Sequence, residues 1–178
     1  MSSRDVSAAR RVAAAAFCAL AALALGGCFR PLYAGAAGAS VADELRAIDV
    51  KPVQGRLGHY VVDDLALELD GTGEPAAAKY SLEVTLKESQ RTPTADSVTG
   101  RATSATTVVV ATYRLLQPGV EAPLVAGRAI ETADYDLFAQ RFANLRAQRD
   151  AEIRAARSIA GQVSTRLAAY FATRRGPA

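Results

Sequence analysis

The amino-acid sequence predicts an α+β fold, a two-layer sandwich in which a mostly antiparallel four-stranded sheet carries two helices on one face, in the order β-α-β-β-β-α. Apolar and polar residues alternate from Tyr80 to Lys87, which is typical of a strand with one buried face. An aliphatic residue recurs at every fourth position between residues 57 and 69, and residues 143–173 carry a second, longer apolar stripe. Elements with a single apolar face bury it against one another, so these patterns predict two packed layers.

The first predicted elements are a short strand and a helix. The strand covers Leu45 to Val53, where Ile48 and Val50 alternate with polar residues. The apolar stripe of the helix consists of Leu57, Val61, Leu65 and Leu69. A Gly-Thr-Gly-Glu-Pro segment at residues 71–75 ends the helix, because glycine and proline disfavour its continuation.

Three further strands follow in the predicted order. The first contains the alternating segment that starts at Tyr80, and the polar residues 90–100 form the loop or hairpin connection after it. The Thr- and Val-rich segment from Arg101 to Leu116 is the second strand. A Gln-Pro-Gly turn separates it from the third strand, Leu124 to Tyr135, in which Gly127 marks a possible bulge.

The last predicted element is a long helix from Ala143 to Thr173. Its apolar stripe consists of Ile153, Ala156, Ala160, Val163, Leu167 and Tyr170. Gly161 lies within this helix, where it is expected to permit close packing on the sheet.

The N-terminus has the composition of an export signal. Arg4, Arg10 and Arg11 form a basic segment, and the 14 residues from Val12 to Leu25 carry no charge. A bilayer-spanning helix needs about 20 apolar residues, so this run suits the hydrophobic region of a secretory signal instead. Residues 1–27 are therefore predicted to be a signal peptide, and the cysteine directly after them indicates a lipoprotein signal peptide.

Cys28 stands where a lipid-modified cysteine is expected. The segment Leu25-Gly26-Gly27-Cys28 resembles a bacterial lipobox, which implies diacylation of the thiol, cleavage before it and acylation of the new amino terminus. The alternative is an ordinary signal peptide cut before an unmodified cysteine. Residues 28–42 are predicted to be the lipidated cysteine and a flexible tether, and residues 43–178 the folded domain. The mature chain has no second cysteine for an intramolecular disulfide, because Cys18 leaves with the signal.

Several classes of function are disfavoured. The net charge of +3 is small and falls further when the signal is removed, so no nucleic-acid partner is predicted. One His and two Cys exclude a Cys/His zinc cluster, and neither a metal nor a cofactor is predicted. No nucleotide-binding or hydrolase motif occurs, so no catalytic residue is assigned. His59, Asp63 and Asp64 are interpreted as a solvated helix face; an enzyme on a lipid anchor, the least favoured hypothesis, would have to use them.

The arginines are the remaining candidates for recognition. Arg91 and Arg101 flank the connection between two predicted strands, and Arg141, Arg146 and Arg149 cluster around the start of the last helix. Guanidinium groups form bidentate contacts with phosphate, so they suit a phosphorylated glycolipid. For any single arginine the simpler interpretation is a solvated side chain that pairs with Asp150 or Glu152 along the helix.

Two segments carry a resemblance to a known family. The segment Leu25-Gly26-Gly27-Cys28-Phe29-Arg30-Pro31-Leu32-Tyr33 resembles the start of alphaproteobacterial LptE-type lipoproteins, although the glycine often found between Cys and Phe is missing. The segment Tyr135-Asp136-Leu137-Phe138-Ala139-Gln140-Arg141-Phe142-Ala143-Asn144 and the Arg/Ala-rich helix after it are also similar to that family. The resemblance extends over the whole mature chain and includes the order of the elements.

The resemblance implies a non-enzymatic lipoprotein of the outer membrane. Members of this family plug the lumen of the LptD β-barrel, assist its assembly and help to place lipopolysaccharide in the outer leaflet. Phe29 after the cysteine, in place of Asp, also favours the outer membrane. By position and charge, Arg101, Arg141 and Arg146 are the candidate lipopolysaccharide-binding residues. The main alternative is an auxiliary lipoprotein of an ABC-type lipid transport system, which would co-purify with an inner-membrane transporter.

The lipobox interpretation predicts that Cys28→Ala abolishes acylation, because the thiol is the only atom that can accept the diacylglyceryl group. Metabolic labelling with a fatty acid should mark the wild-type chain and leave the variant unlabelled. A labelled variant would contradict the lipobox.

Overall fold

The computed structural model describes residues 36–70, 77–95 and 100–174. These residues form three helices and four strands. In chain order they are α1 (Ala36–Arg46), β1 (Ile48–Val50), α2 (Arg56–Asp70), β2 (Tyr80–Ala95), β3 (Ala102–Leu116), β4 (Val125–Asp136) and α3 (Arg141–Arg174). The predicted signal peptide and Cys28 lie outside the described residues.

The four strands form one mixed sheet in the order β1-β2-β3-β4. Residues Ile48–Val50 of β1 pair in parallel with Tyr80–Leu82 of β2. The pairings of β2 with β3 and of β3 with β4 are antiparallel and much longer. The predicted α+β sandwich with a mostly antiparallel four-stranded sheet is therefore confirmed, and one short parallel pair makes the sheet mixed.

The core lies between the helices and one face of the sheet. Every second residue of β3 from Ala105 to Leu115 is buried, and the predicted stripe of α2, from Leu57 to Leu69, is buried with them. At one end of the core, the ring of Tyr80 lies 5.2 Å from that of Phe171, and its hydroxyl donates a 2.9 Å hydrogen bond to Glu44. These contacts join α1, β2 and the end of α3.

The buried face of α3 is broader than the predicted stripe. Ala156, Ala160, Val163 and Leu167 are buried as predicted, whereas Ile153 and Tyr170 are only partly buried. Residues off the stripe are also buried, namely Ala151, Glu152, Ala155, Ile159, Ser164, Ala168 and Phe171. The reason is that α3 packs on the sheet, on α2 and on α1, and a helix with several neighbours needs more than one narrow apolar stripe.

Helix α1 was not predicted, and its presence corrects the prediction for the first part of the described chain. It occupies Ala36–Arg46, where the sequence predicted the end of a flexible tether over 28–42 and the start of a strand at Leu45. Val41 and Leu45, four residues apart, are both buried, so this segment has a helical apolar face that its small residues concealed. The predicted strand over 45–53 is reduced to Ile48–Val50.

The polar segment after the alternating strand is also extended rather than a loop. Strand β2 continues to Ala95, although the sequence predicted a connection over residues 90–100. The pairing with β3 shifts register between Arg91 and Thr94, which is where Pro93 stands. Proline has no N–H to donate to a ladder, so this irregularity accommodates it within the strand.

Two glycines act differently from their predicted roles. Gly127 is not a bulge, because β3 and β4 pair in register through Tyr113 and Gly127, and a Cβ at Gly127 would overlap the ring of Tyr113. Gly161 does not serve close packing on the sheet, because a Cβ there would meet no described atom within 4 Å. Gly58 in α2, by contrast, does have a packing role, since a Cβ there would lie 2.6 Å from the carbonyl oxygen of Val53.

Side chains of α3 cover the outer edge of β4. Three residues at helical spacing donate hydrogen bonds to carbonyl oxygens of the strand. They are Arg154 to Asp134 at 2.9 Å, Gln162 to Ile130 at 3.5 Å, and Arg166 to Arg128. These contacts satisfy edge carbonyls that would otherwise be open to pairing with another chain, and they fix the position of α3 along the strand.

Gly58 in α2 and Gly161 in α3 give a matched pair of predictions. Gly161→Ala should raise the free energy of unfolding by about 1 kcal/mol, because Ala favours the helix and meets no obstacle. Gly58→Ala gains the same helical preference but should lower the stability, because its methyl group collides with the backbone at Val53. Thermal or chemical denaturation of both variants checks this, and a stabilising Gly58→Ala would contradict the packing at that helix start.

Candidate functional site

An ion pair between α2 and α3 stands at the centre of the candidate site. The guanidinium of Arg56, at the start of α2, donates to both carboxylate oxygens of Glu152 in α3, at 2.8 Å from Nε and 2.6 Å from Nη2. The side chain of Glu152 is 1% exposed and that of Arg56 is 51% exposed. Gln148, one turn earlier in α3, donates a further 3.2 Å bond to Glu152. The buried carboxylate is thus held by three donor contacts.

This geometry corrects the predicted role of Glu152. The sequence placed it on a solvated helix face as a partner for neighbouring arginines, but it turns inward and pairs with a residue 96 positions away. The hydrogen bond and charge of Glu152 raise the pKa of the Arg56 guanidinium above its ordinary value. The Arg56 guanidinium is therefore held in its charged form.

A cavity of about 290 Å³ lies beside this ion pair. It is lined by Gln54, Gly55, Arg56, Leu57, Gly58, Leu86, Glu88 and Glu152. Glu88 is on the helix-facing side of β2, and partial burial raises the pKa of its carboxyl above the usual value. The nearby charge of Glu152 raises it further, while Arg56 opposes the shift. The cavity is consequently polar, with two carboxylates and one guanidinium on its walls.

The second part of the site is the start of α3, which we call the α3 tip (residues 138–150). The buried residues of α3 begin at Ala151, so none of its first ten residues is fully buried. Three large apolar side chains of the tip are exposed: Phe138 at 53%, Phe142 at 71% and Leu145 at 57%. The side-chain amide of Asn144 bonds to both the N–H and the carbonyl of Phe138, at 2.7 and 3.0 Å, and so ties the preceding turn to the helix.

A smaller cavity, of about 190 Å³, is formed on the α3 tip. It is lined by Arg56, Phe142, Leu145, Arg146, Gln148 and Arg149. Three guanidinium groups and two apolar side chains thus share one depression, and Arg56 contributes to it as well as to the polar cavity. Such a surface can contact a phosphate and a hydrocarbon chain at the same time.

The face of the sheet that points away from the core is the third feature. We call it the open sheet face and define it by Thr106, Val108, Val110, Thr112 and Arg114 of β3. These residues remain partly or fully exposed while their neighbours on the strand are buried. Arg114 pairs with Glu83 of β2 at 2.7 Å, and Thr106 donates to Asp134 of β4 at 2.5 Å. The face carries the hydroxyl groups of Thr106 and Thr112, and polar contacts link it to both neighbouring strands.

The structure distributes the predicted arginines unevenly. Arg146 lines the cavity of the α3 tip, and Arg141 is exposed at the first position of the helix. Arg101 is exposed just before β3, at the end of the sheet where the N–H of Leu137 bonds to the carbonyl of Thr103. Arg149, which the sequence grouped with Arg141 and Arg146, and Arg56, which sequence reasoning did not consider, join Arg146 at the cavity. A visible indication was the pair of apolar residues Phe142 and Leu145, which lie outside the predicted stripe and between arginines.

The other candidate residues lie on the surface. His59 pairs with Asp63 at 3.3 Å on the exposed side of α2, with side-chain exposures of 73% and 62%. In the described part of the chain, no group of three or more His, Cys, Asp or Glu residues could hold a metal ion. Among the described helices, none has the length and hydrophobicity needed to span a membrane.

Comparison with known proteins gives structural matches only. No family model matches the chain, and no curated protein does. A protein of Caulobacter crescentus CB15 that is predicted to be a lipoprotein is similar, with a TM-score of 0.62 and 25% identity, over 76% of this chain and 98% of that protein. A minor lipoprotein from Acinetobacter baumannii has a TM-score of 0.52 and 10% identity, over 68% of this chain and 88% of that protein. A rare lipoprotein B from Shewanella oneidensis has a TM-score of 0.45 and 18% identity, over 72% and 93%.

The buried ion pair predicts a specific loss of stability. Arg56→Ala should lower the free energy of unfolding by about 2 kcal/mol, because it leaves the buried Glu152 carboxylate with only Gln148 as a donor. The loss stays below that of a fully buried pair because water can reach the space left by the half-exposed guanidinium.

The matched control is Arg114→Ala, which breaks an exposed pair and should cost less than about 1 kcal/mol. Adding Glu152→Leu to Arg56→Ala should recover part of the loss, since the unpaired charge is then removed. Equal losses for Arg56→Ala and Arg114→Ala in chemical denaturation would contradict the role of the pair.

Proposed function

We propose that this chain is a non-catalytic outer-membrane lipoprotein that partners and plugs an LptD-type β-barrel and assists lipopolysaccharide insertion into the outer leaflet. The observation that carries the proposal is the match of the whole domain to a solved protein predicted to be a lipoprotein, over 98% of that protein's length. The lipobox-like segment ending at Cys28 agrees with it independently of the fold.

The proposed anchor determines where the domain works. Three acyl chains at Cys28 would hold the chain on a membrane essentially permanently, since each buried methylene contributes about 0.8 kcal/mol. Only residues 29–35 separate the cysteine from the start of α1. Extended chain reaches at most about 3.6 Å per residue, so the folded domain would begin within roughly 30 Å of the leaflet.

The open sheet face supports a barrel as the partner. A hydrated barrel interior is lined by polar side chains, and the threonine hydroxyls of this face can bond to such a lining. The partly exposed Val110 and the exposed Ile130, directly opposite one another in the sheet, add a small apolar centre to this polar surface. A polar rim around a small apolar centre is the usual composition of a protein–protein interface.

The arginines carry the lipopolysaccharide part of the proposal. Lipopolysaccharide is a phosphorylated glycolipid, and guanidinium groups match phosphate with two parallel hydrogen bonds. Arg141 and Arg146 lie on the α3 tip, and Arg101 lies at the same end of the sheet. These three residues are the proposed lipopolysaccharide contacts.

A detergent pull-down of the tagged full-length chain from its native membrane tests the proposal. We expect an outer-membrane β-barrel in roughly stoichiometric amount. Thr112→Arg, on the open sheet face, should reduce its recovery, whereas Glu68→Arg on the exposed side of α2 should not. Recovery of an inner-membrane ATPase complex, or of no partner at all, would contradict the proposed function. Equal recovery with both variants would contradict only the assigned interface.

A further inference from the structure

The α3 tip is a helix end that makes few contacts with the core. The ten helical residues before Ala151 extend α3 by about 15 Å beyond the first fully buried position. Ala147 packs against the core and Arg56 of α2 lies beside Phe142 and Leu145, but these two large apolar side chains remain 71% and 57% exposed. Their apolar surface is therefore available to a partner.

The apolar side chains of the tip form one group. Phe142 and Leu145 are three residues apart and therefore neighbours on one side of the helix. The backbone of Phe138, just before the helix, is tied to Asn144 by two hydrogen bonds, so this third exposed side chain lies at the same end of α3. The other large exposed apolar residues, Leu67, Val120 and Ile130, come from three different elements. Scattered exposed apolar residues are ordinary, but a group of three at one projecting end is typical of an interaction surface.

The charges of the tip are mostly positive. Arg141, Arg146 and Arg149 are exposed there, and the first turn of α3 contains no acidic residue. The one acidic residue of the tip, Asp150, pairs with Arg154 at 2.9 Å, and Glu152 just after the tip is buried against Arg56. A helix N-terminus carries about half a positive charge, and an arginine at this position is favourable only beside an anion.

From these observations we infer that the α3 tip docks onto the surface of an anionic phospholipid bilayer. Phe138, Phe142 and Leu145 enter the headgroup layer. Arg149 binds lipid phosphates at the 190 Å³ cavity, and Arg146, the proposed lipopolysaccharide contact, does so while no lipopolysaccharide occupies it. Aromatic and aliphatic side chains interleaved with arginines are the composition of interfacial membrane helices. A projecting end also suits a deformable headgroup layer better than a preformed protein groove.

The inference rests on the proposed lipid anchor and adds an orientation to it. The anchor limits the distance between domain and leaflet but leaves the domain free to rotate. Docking of the α3 tip would direct the long axis of α3 away from the bilayer. The strand β4, along which α3 lies, and the open sheet face would then stand upright relative to the bilayer, in the direction in which a barrel partner crosses it.

The chain contains no tryptophan, which permits a direct test. Phe142→Trp places a single indole on the tip, and Leu67→Trp places one at an exposed apolar position of α2 as the matched control. Each full-length chain is reconstituted into vesicles of phosphatidylcholine alone or with phosphatidylglycerol, containing lipids brominated on their acyl chains. In the phosphatidylglycerol vesicles, Phe142→Trp should emit at shorter wavelength and be quenched several-fold more than Leu67→Trp.

A separate comparison tests whether the docking depends on electrostatic attraction between the arginines and the lipid phosphates. Quenching of Phe142→Trp should fall in phosphatidylcholine alone and when Arg146→Gln and Arg149→Gln are added. It should also fall at 1 M salt, where the screening length shrinks to about 3 Å. Quenching that is insensitive to all three changes would overturn the role of the arginines.

Three results would overturn the docking, and the third of them also shows whether the lipid anchor is intact. Equal quenching of the two tryptophans in phosphatidylglycerol vesicles would overturn it. Insertion that occurs only when lipopolysaccharide is added would overturn it and assign the tip to the lipopolysaccharide route. Flotation reports the anchor separately: a chain that floats while the indole of Phe142→Trp remains in water would leave the anchor intact and reject the docking.

Discussion

The simultaneous packing of α3 on the sheet and on α2 is the constraint on which the other features depend. The helix lies along β4, where its side chains cover the edge carbonyls, and it also packs against α2 through the buried pair of Arg56 and Glu152. These two sets of contacts fix its position along the sheet and its rotation about its own axis. The α3 tip projects, and the arginines on it point outward, as a consequence of that placement.

The buried carboxylate links the core to the surface site. Glu152 is held by a guanidinium whose other side lines the cavity of the α3 tip. An ion pair of this kind adds little net stability compared with an apolar replacement, but removal of one partner is costly. It therefore specifies how α2 and α3 meet, and it places Arg56 beside Arg146 and Arg149. The Arg56 guanidinium, which joins α2 to α3, thereby also contributes to the proposed recognition surface.

Periodicity predicted the elements that bury a single face and failed where two partners compete. The stripe of α2 and the alternation that starts at Tyr80 were correct because the buried residues of each lie on a single face. The face of α3 was too narrow in the prediction because α3 packs on the sheet and on two helices, and the pairing of Glu152 with Arg56 is not visible in a local pattern. Helix α1 was missed because its first five residues are Ala, Gly and Ser, a composition typical of a tether. The true role of Gly127 depended on Tyr113 from another strand. Arg146 could be predicted as a site residue from its neighbours in the chain. Arg56 reaches the site through its contact with Glu152, 96 residues away, which no local pattern reveals.

The central claim is that the domain works against an integral outer-membrane barrel, and photo-crosslinking in the native membrane tests it most directly. A photoreactive residue in place of Val110, on the open sheet face, would be compared with one in place of Glu68 on the exposed side of α2. The account predicts an adduct between the first position and a β-barrel, and no such adduct from the second. An adduct of Val110 with an inner-membrane transporter, or equal barrel adducts from both positions, would contradict it.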